Sequence, residues 1–123
     1  MIKRFLLAAA LIFLPLTAWA QTATCPAYSQ SWKTISGTSY TVLPTDQCSL
    51  LYFTSSSGIT LDLPVPKANF PAGFMFYEFT KGTGTVTLTA VTGTTVNGSS
   101  TLAKATGVGA ACFSNGSAWA CKP

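Results

Sequence analysis

Apolar and polar residues alternate with a period of two along most of this chain. "GITLDLP" sets Ile59, Leu61 and Leu63 on one face against Thr60 and Asp62 on the other. "GTVTLTAV" does the same with Val86 and Leu88 against Thr85, Thr87 and Thr89. Such alternation marks strands with one buried face and one wet face, and β-branched threonine suits the wet one. "SYTVL" (39–43) and "SLLYFTS" (49–55) predict two further strands. "GFMFYEFT" (73–80) carries aromatic residues on both faces, so the pattern predicts cover on both. A helix could begin at Leu102, but Gly107 and Gly109 argue against it.

Turn chemistry separates these runs at short intervals. Pro44-Thr45-Asp46, Ser56-Ser57-Gly58, Lys81-Gly82-Thr83-Gly84, Asn97-Gly98 and Asn115-Gly116 are all turn sequences. The stretch "LPVPKANFPAG" connects two strong strands and contains Phe70, which favours burial, so it reads as a crossing between sheets. The expected fold is all-β: a small antiparallel β-sandwich or barrel-like jelly roll with short hairpin turns. Asn97-Gly98-Ser99 and Asn115-Gly116-Ser117 also match the N-glycosylation acceptor, but both read as turns first.

The first twenty residues follow another pattern. "MIKRFLLAAALIFLPLTAWA" has a basic start (Lys3, Arg4), an apolar middle and an Ala-Trp-Ala end. This predicts a bacterial signal peptide over residues 1–20 and a single all-β domain over residues 21–123. The apolar run is short for a spanning helix and is interrupted by Pro15. Nothing later is long and apolar enough to cross a membrane, so the mature chain is expected to be secreted or periplasmic, with no membrane insertion.

Cys25, Cys48, Cys112 and Cys121 all follow the signal peptide. An even number in an exported chain predicts two disulfides. Zinc would call for short Cys-x-x-Cys pairs or histidines, and the chain has neither. With residues 115–118 as a four-residue loop, Cys112 faces Cys121 across a hairpin, within reach of a disulfide. Cys25–Cys48 then follows by elimination. A crossed pairing, Cys25–Cys121 with Cys48–Cys112, stays open to a sandwich with adjacent terminal strands.

Charge is scarce. After residue 20, Lys33, Lys67, Lys81, Lys104 and Lys122 stand against Asp46, Asp62 and Glu78, and no arginine remains. Without clustered cations, nucleic acid is not an expected partner. The chain has no histidine, which removes Ser-His and Cys-His nucleophile systems. Asp46 reads as a turn residue and Asp62 as part of a wet strand face. Glu78 shares a face with Phe74 and Phe76 and reads as a strand-end carboxylate reaching solvent, since isolated buried carboxylates are costly. Trp119 reads as a plug at the end of the core. Tyr28, Trp32 and Tyr40 lie close in sequence and are the candidate ligand contacts, because aromatic rings offer flat apolar faces on which sugars stack.

Taken in order, the segments from residue 39 to 119 resemble a module of bacteriophage tail-fibre and virion surface proteins. The resembling pieces are "SYTVLPTD", "LLYFTSSSG", "ITLDLP", "PAG" before an aromatic strand, "GTGTVTL", "TVNG" and "SNGSAW". The resemblance implies a compact all-β fold that builds or decorates fibres and touches host glycans, and it brings no catalytic motif. A signal peptide and four cysteines depart from that family and fit an exported relative in an oxidising compartment.

The expected function is therefore an exported, non-enzymatic binding or structural module at the cell envelope or outside the cell. It would contact a glycan or other cell-surface ligand and need no cofactor or metal. One alternative is a phage-derived fibre or decoration subunit, assembled as a homo-oligomer. The other is a small secreted hydrolase or enzyme inhibitor. The export reading predicts that mass spectrometry of protein from periplasm or medium finds an N-terminus at Gln21 or its pyroglutamate. An intact Met1 on the soluble protein would defeat it.

Overall fold

A computed structural model describes Cys25 and residues 31–123. Residues 1–20, read from the sequence as a signal peptide, and Tyr28 lie outside the described residues. Among the described residues nine strands form: β1 Trp32–Ile35, β2 Ser39–Thr41, β3 Leu50–Phe53, β4 Ile59–Leu63, β5 Met75–Thr80, β6 Val86–Ala90, β7 Thr101–Lys104, β8 Ala110–Ser114 and β9 Trp119–Lys122. A single 3-10 turn, Pro44–Asp46, lies between β2 and β3.

Through β6, successive strands alternate between two sheets, whose orders are β1-β3-β5-β8-β9 and β2-β4-β6-β7. Each return lays a strand parallel to its predecessor in that sheet: β3 beside β1, β5 beside β3, β4 beside β2, β6 beside β4. The first six strands thus wind as a coil of three turns, each turn giving one strand to each sheet. The last three strands each pair antiparallel to a neighbour. β7 runs antiparallel to β6, β8 to β5 and β9 to β8.

The all-β class agrees with the sequence pattern, as do the strands expected within residues 39–91 and the terminal hairpin, whereas β1 and β7 were not expected. The pairing differs: both sheets are mixed and neither closes on itself, where an antiparallel sandwich or jelly roll was expected. The reason is physical. Alternation fixes which face of a strand is buried, not the direction of its neighbour. Short turns such as residues 56–58 look like hairpins, yet here they carry the chain from one sheet to the other. A parallel return needs a crossover of about a dozen residues or more, and the intervening strand of the other sheet supplies it.

The inner faces of the two sheets share one core. Leu51, Phe53, Phe76, Cys112 and Cys121 meet Val42, Ile59, Leu61, Leu63, Val86 and Leu88 in a single buried cluster. Trp119 is buried there, with ring centroids 5.6, 6.0 and 5.8 Å from Phe70, Phe74 and Phe76. Its indole N–H donates to the Pro64 carbonyl at 2.7 Å, so the one polar atom of the ring is satisfied. The connection holding Pro64 and Phe70 joins β4 in one sheet to β5 in the other, as expected, and Phe70 is buried.

The terminal hairpin has the predicted register: Ser114 faces Trp119, Phe113 faces Ala120 and Cys112 faces Cys121. Asn115 Oδ1 accepts from the backbone N–H of Ser117 and Ala118 at 2.9 and 2.7 Å, which sets the four-residue loop. The disulfides are Cys112–Cys121 and Cys25–Cys48, so the crossed pairing does not form. Closing a loop as short as the terminal one stabilises by roughly 2–3 kcal/mol in the chain-entropy model.

At one corner of the coil the turns stack backbone on backbone. Residues 55–57, between β3 and β4, lie against residues 82–84, between β5 and β6. A Cβ at Gly82 would sit 1.9 Å from the Ser55 carbonyl oxygen, and one at Gly84 1.9 Å from that of Ser57. The Gly84 N–H and the Thr83 hydroxyl donate to the carbonyls of Ser55 and Ser56. Only glycine allows this approach. Gly82→Ala is therefore expected to destabilise the fold by about 2 kcal/mol or more, the size of effect produced by strained or overpacked sites. Urea unfolding of the oxidised protein measures this, and an unchanged midpoint would refute the tight corner.

Candidate functional site

Strand alternation gives the two sheets outer faces of opposite character. On the four-stranded sheet, β4 and β6 turn out Thr60, Asp62, Thr87 and Thr89, flanked by Ser39 and Thr41 of β2 and Thr101 of β7. On the five-stranded sheet, the outward residues include Trp32, Leu50, Tyr52, Met75, Tyr77, Phe79 and Phe113. β5 is therefore covered on one face only. Its inner residues are buried, but Met75 and Tyr77 are half-buried and Phe79 is exposed, against the expected cover on both faces.

Three rings cross this outer face from strand to strand. The register pairs Thr34 with Tyr52, and Tyr52 with Phe79. Trp32 leans toward Tyr52, with centroids 4.7 Å apart and planes inclined at 49°. Tyr52 and Phe79 are stacked, with centroids 6.0 Å apart and planes 15° apart. Trp32 lies on the edge strand and is 63% exposed, and Phe79 is 37% exposed. The row forms an apolar strip on the surface opposite a Thr-rich face, the kind of patch from which contact surfaces are built. Phe79 also borders an open depression of about 560 Å³ lined by Leu50, Tyr77, Gly109, Ala111 and Lys122. The row thus leads from the edge strand of the described sheet toward this open depression.

The sequence candidates separate. Trp32 stands in the row. Tyr28 lies outside the described residues. Tyr40 belongs to β2, in the other sheet, and packs against the core. Its hydroxyl donates to Asp46 Oδ2 at 2.8 Å and accepts from the Lys33 ammonium. Asp46 is buried in the 3-10 turn, as a turn role requires, and also accepts from Leu43 N–H at 2.8 Å and Lys33 Nζ at 3.1 Å. This cluster ties β1 to β2 where the coil begins. Burial holds the Tyr40 phenol above its ordinary range, and the hydrogen bond to Tyr40 raises Lys33. Tyr52 and Phe79 were missed as partners of Trp32. The available signal was an outward aromatic on each of the three parallel strands, but only the coil makes those positions adjacent.

The carboxylates are also placed. Asp62 is half-buried on the threonine face. Glu78 does not reach solvent: it is buried, and the Lys104 ammonium contacts its Oε1. Burial lowers Lys104 to about 8. The expectation of a solvated strand-end carboxylate fails because Lys104, on the facing inner surface of β7, comes within ion-pair range. Among the described residues no three His, Cys, Asp or Glu side chains gather as a metal site.

What the outer face can do is bind by stacking and apolar contact, while Tyr40 serves the fold. Tyr40→Phe should accordingly lower stability by about 1.5–3 kcal/mol, the value of a hydrogen bond to a charged partner, and leave any binding by the aromatic row intact. Urea unfolding beside a binding assay checks both, and a binding loss at unchanged stability would move Tyr40 into the site. No protein-family model, no curated protein and no solved structure matches this chain, so the functional reading rests on the geometry of this face.

Proposed function

We propose that this chain is an exported, non-enzymatic binding module that contacts glycans through the outer face of its five-stranded sheet. The observation that carries the reading is the Trp32–Tyr52–Phe79 row, exposed at Trp32 and Phe79, which crosses the outer face of the sheet toward the depression beside Tyr77 and Lys122. Aromatic rings bury large area at little conformational cost and offer a polar rim in tyrosine. A row of them on an open sheet face suits the apolar faces of successive sugar rings better than a charged or deeply enclosed ligand. The threonine face opposite keeps the module in solution while the aromatic face engages a surface.

Two disulfides, and no helix among the described residues long and apolar enough to cross a membrane, support a place in the periplasm or outside the cell. Asp46 and Glu78 are each buried and paired with a lysine, which favours binding over hydrolysis as the role of this domain.

The test is retention of the mature, oxidised protein on insoluble cellulose, chitin and purified bacterial cell wall, with soluble oligosaccharides as competitors. Trp32→Ala and Tyr52→Ala should each weaken retention at least about tenfold, a loss of roughly 1.4 kcal/mol, with little change in unfolding midpoint for the exposed Trp32. Failure to bind any of these glycans, or wild-type retention by both variants, would overturn the reading. Concentration-dependent oligomers that are lost in the same two variants would instead assign the face to self-assembly, as in a fibre subunit.

A further inference from the structure

Glu78 and Lys104 meet between the two sheets. Glu78 lies on the inner face of β5, the central strand of the five-stranded sheet, and Lys104 on the inner face of β7, an edge strand of the other. No ladder joins these strands. The side chains are 0% and 4% exposed, and the ammonium contacts Oε1. Neither carboxylate oxygen has a hydrogen-bond partner among the other described residues. Their register neighbours are apolar: Leu51 and Ala110 flank Glu78, and Val86 is paired with Lys104, all three buried.

An ion pair in such a place is a weak source of stability, because desolvation offsets the attraction. A buried carboxylate also ordinarily collects further donors, and Glu78 has none. Burial between the sheets disfavours the ammonium and lowers Lys104 to about 8, so a fraction of the lysine stands as the free amine near neutral pH. A neutral lysine amine is a nucleophile. It is held against a carboxyl group by two sheets, which removes the entropy cost of bringing them together.

We propose that Lys104 and Glu78 condense to an intramolecular amide that bolts one sheet to the other. Nζ attacks the Glu78 carboxyl carbon and a C–N bond forms. One C–O bond of the carboxyl breaks, and that oxygen leaves as water with the two protons that the lysine nitrogen gives up. Ammonium and carboxylate become amide and water, with no change of oxidation state and no further reactant. The Val108 carbonyl accepts from Nζ at 2.7 Å and orients the nitrogen. A cavity of about 210 Å³ lined by Lys104, Val108, Ala110 and Pro123 adjoins the lysine and receives the expelled water.

The experiment is mass spectrometry of the oxidised mature protein, denatured and digested with trypsin. The intact mass should fall below that of the doubly disulfide-bonded sequence by one water, beyond any ammonia lost in forming pyroglutamate at Gln21. Cleavage after Lys104 should be lost, because an acylated lysine is not cut, and residues 68–81 should remain joined to residues 82–123. Lys104→Arg should restore the full mass. If that variant fails to fold, the wild-type peptide map decides alone. Full mass in the folded wild type, separate recovery of peptides 68–81 and 82–104, or a water loss mapped elsewhere would overturn the proposal.

Discussion

The coil exists because two turns can lie on each other with no side chain between them. Strands in a sheet sit about 4.8 Å apart, and a parallel coil must keep that spacing through its corners as well as along its strands. Residues 82–84 meet residues 55–57 at backbone distance, with glycine at both points of closest approach. Were this corner wider, β4 and β6 could not hold the register that pairs Ile59 with Val86 and Leu63 with Ala90. The shared core between the sheets would then lose its alignment, since each sheet places its apolar residues by the same alternation.

Much of this could be read from the residues. Ile59, Leu61, Leu63, Val86 and Leu88 point inward as their alternation requires. The Cys112–Cys121 pair follows from loop length, a purely local property. What could not be read depends on where distant segments return. Nothing in residues 56–58 tells a hairpin from a crossing between sheets. Trp32 and Tyr40 are neighbours along the chain yet occupy different sheets, whereas Trp32, Tyr52 and Phe79 are distant along it and lie side by side. Glu78 was misread for a related reason: a carboxylate on an apolar face is costly only if no cation meets it, and its cation comes from a strand in the other sheet.

Ionic chemistry in this domain is concentrated where the coil starts and where it reverses. Asp46 with Lys33 lies beside β1 and β2, the open edges of the two sheets, and Glu78 with Lys104 lies where β7 and β8 turn back against the parallel strands. Between them the core is apolar. Charge is thus spent at the joints of the winding, where strand ladders alone do not hold one sheet to the other. The wet surface relies on hydroxyl groups, which cost less than ions to bring against another surface.

The two outer faces give the molecule a direction. One broad side is threonine and serine, the opposite side tryptophan, tyrosine, phenylalanine and leucine. A slab built this way feels a torque at any boundary between water and a less polar phase, and it settles with one side down. Loss of one rotational freedom is then already met before specific contacts form, so a weak row of rings can act as though it were present at higher local concentration. Orientation would make binding to an extended surface stronger than binding to a small soluble fragment of that surface, with no additional contact.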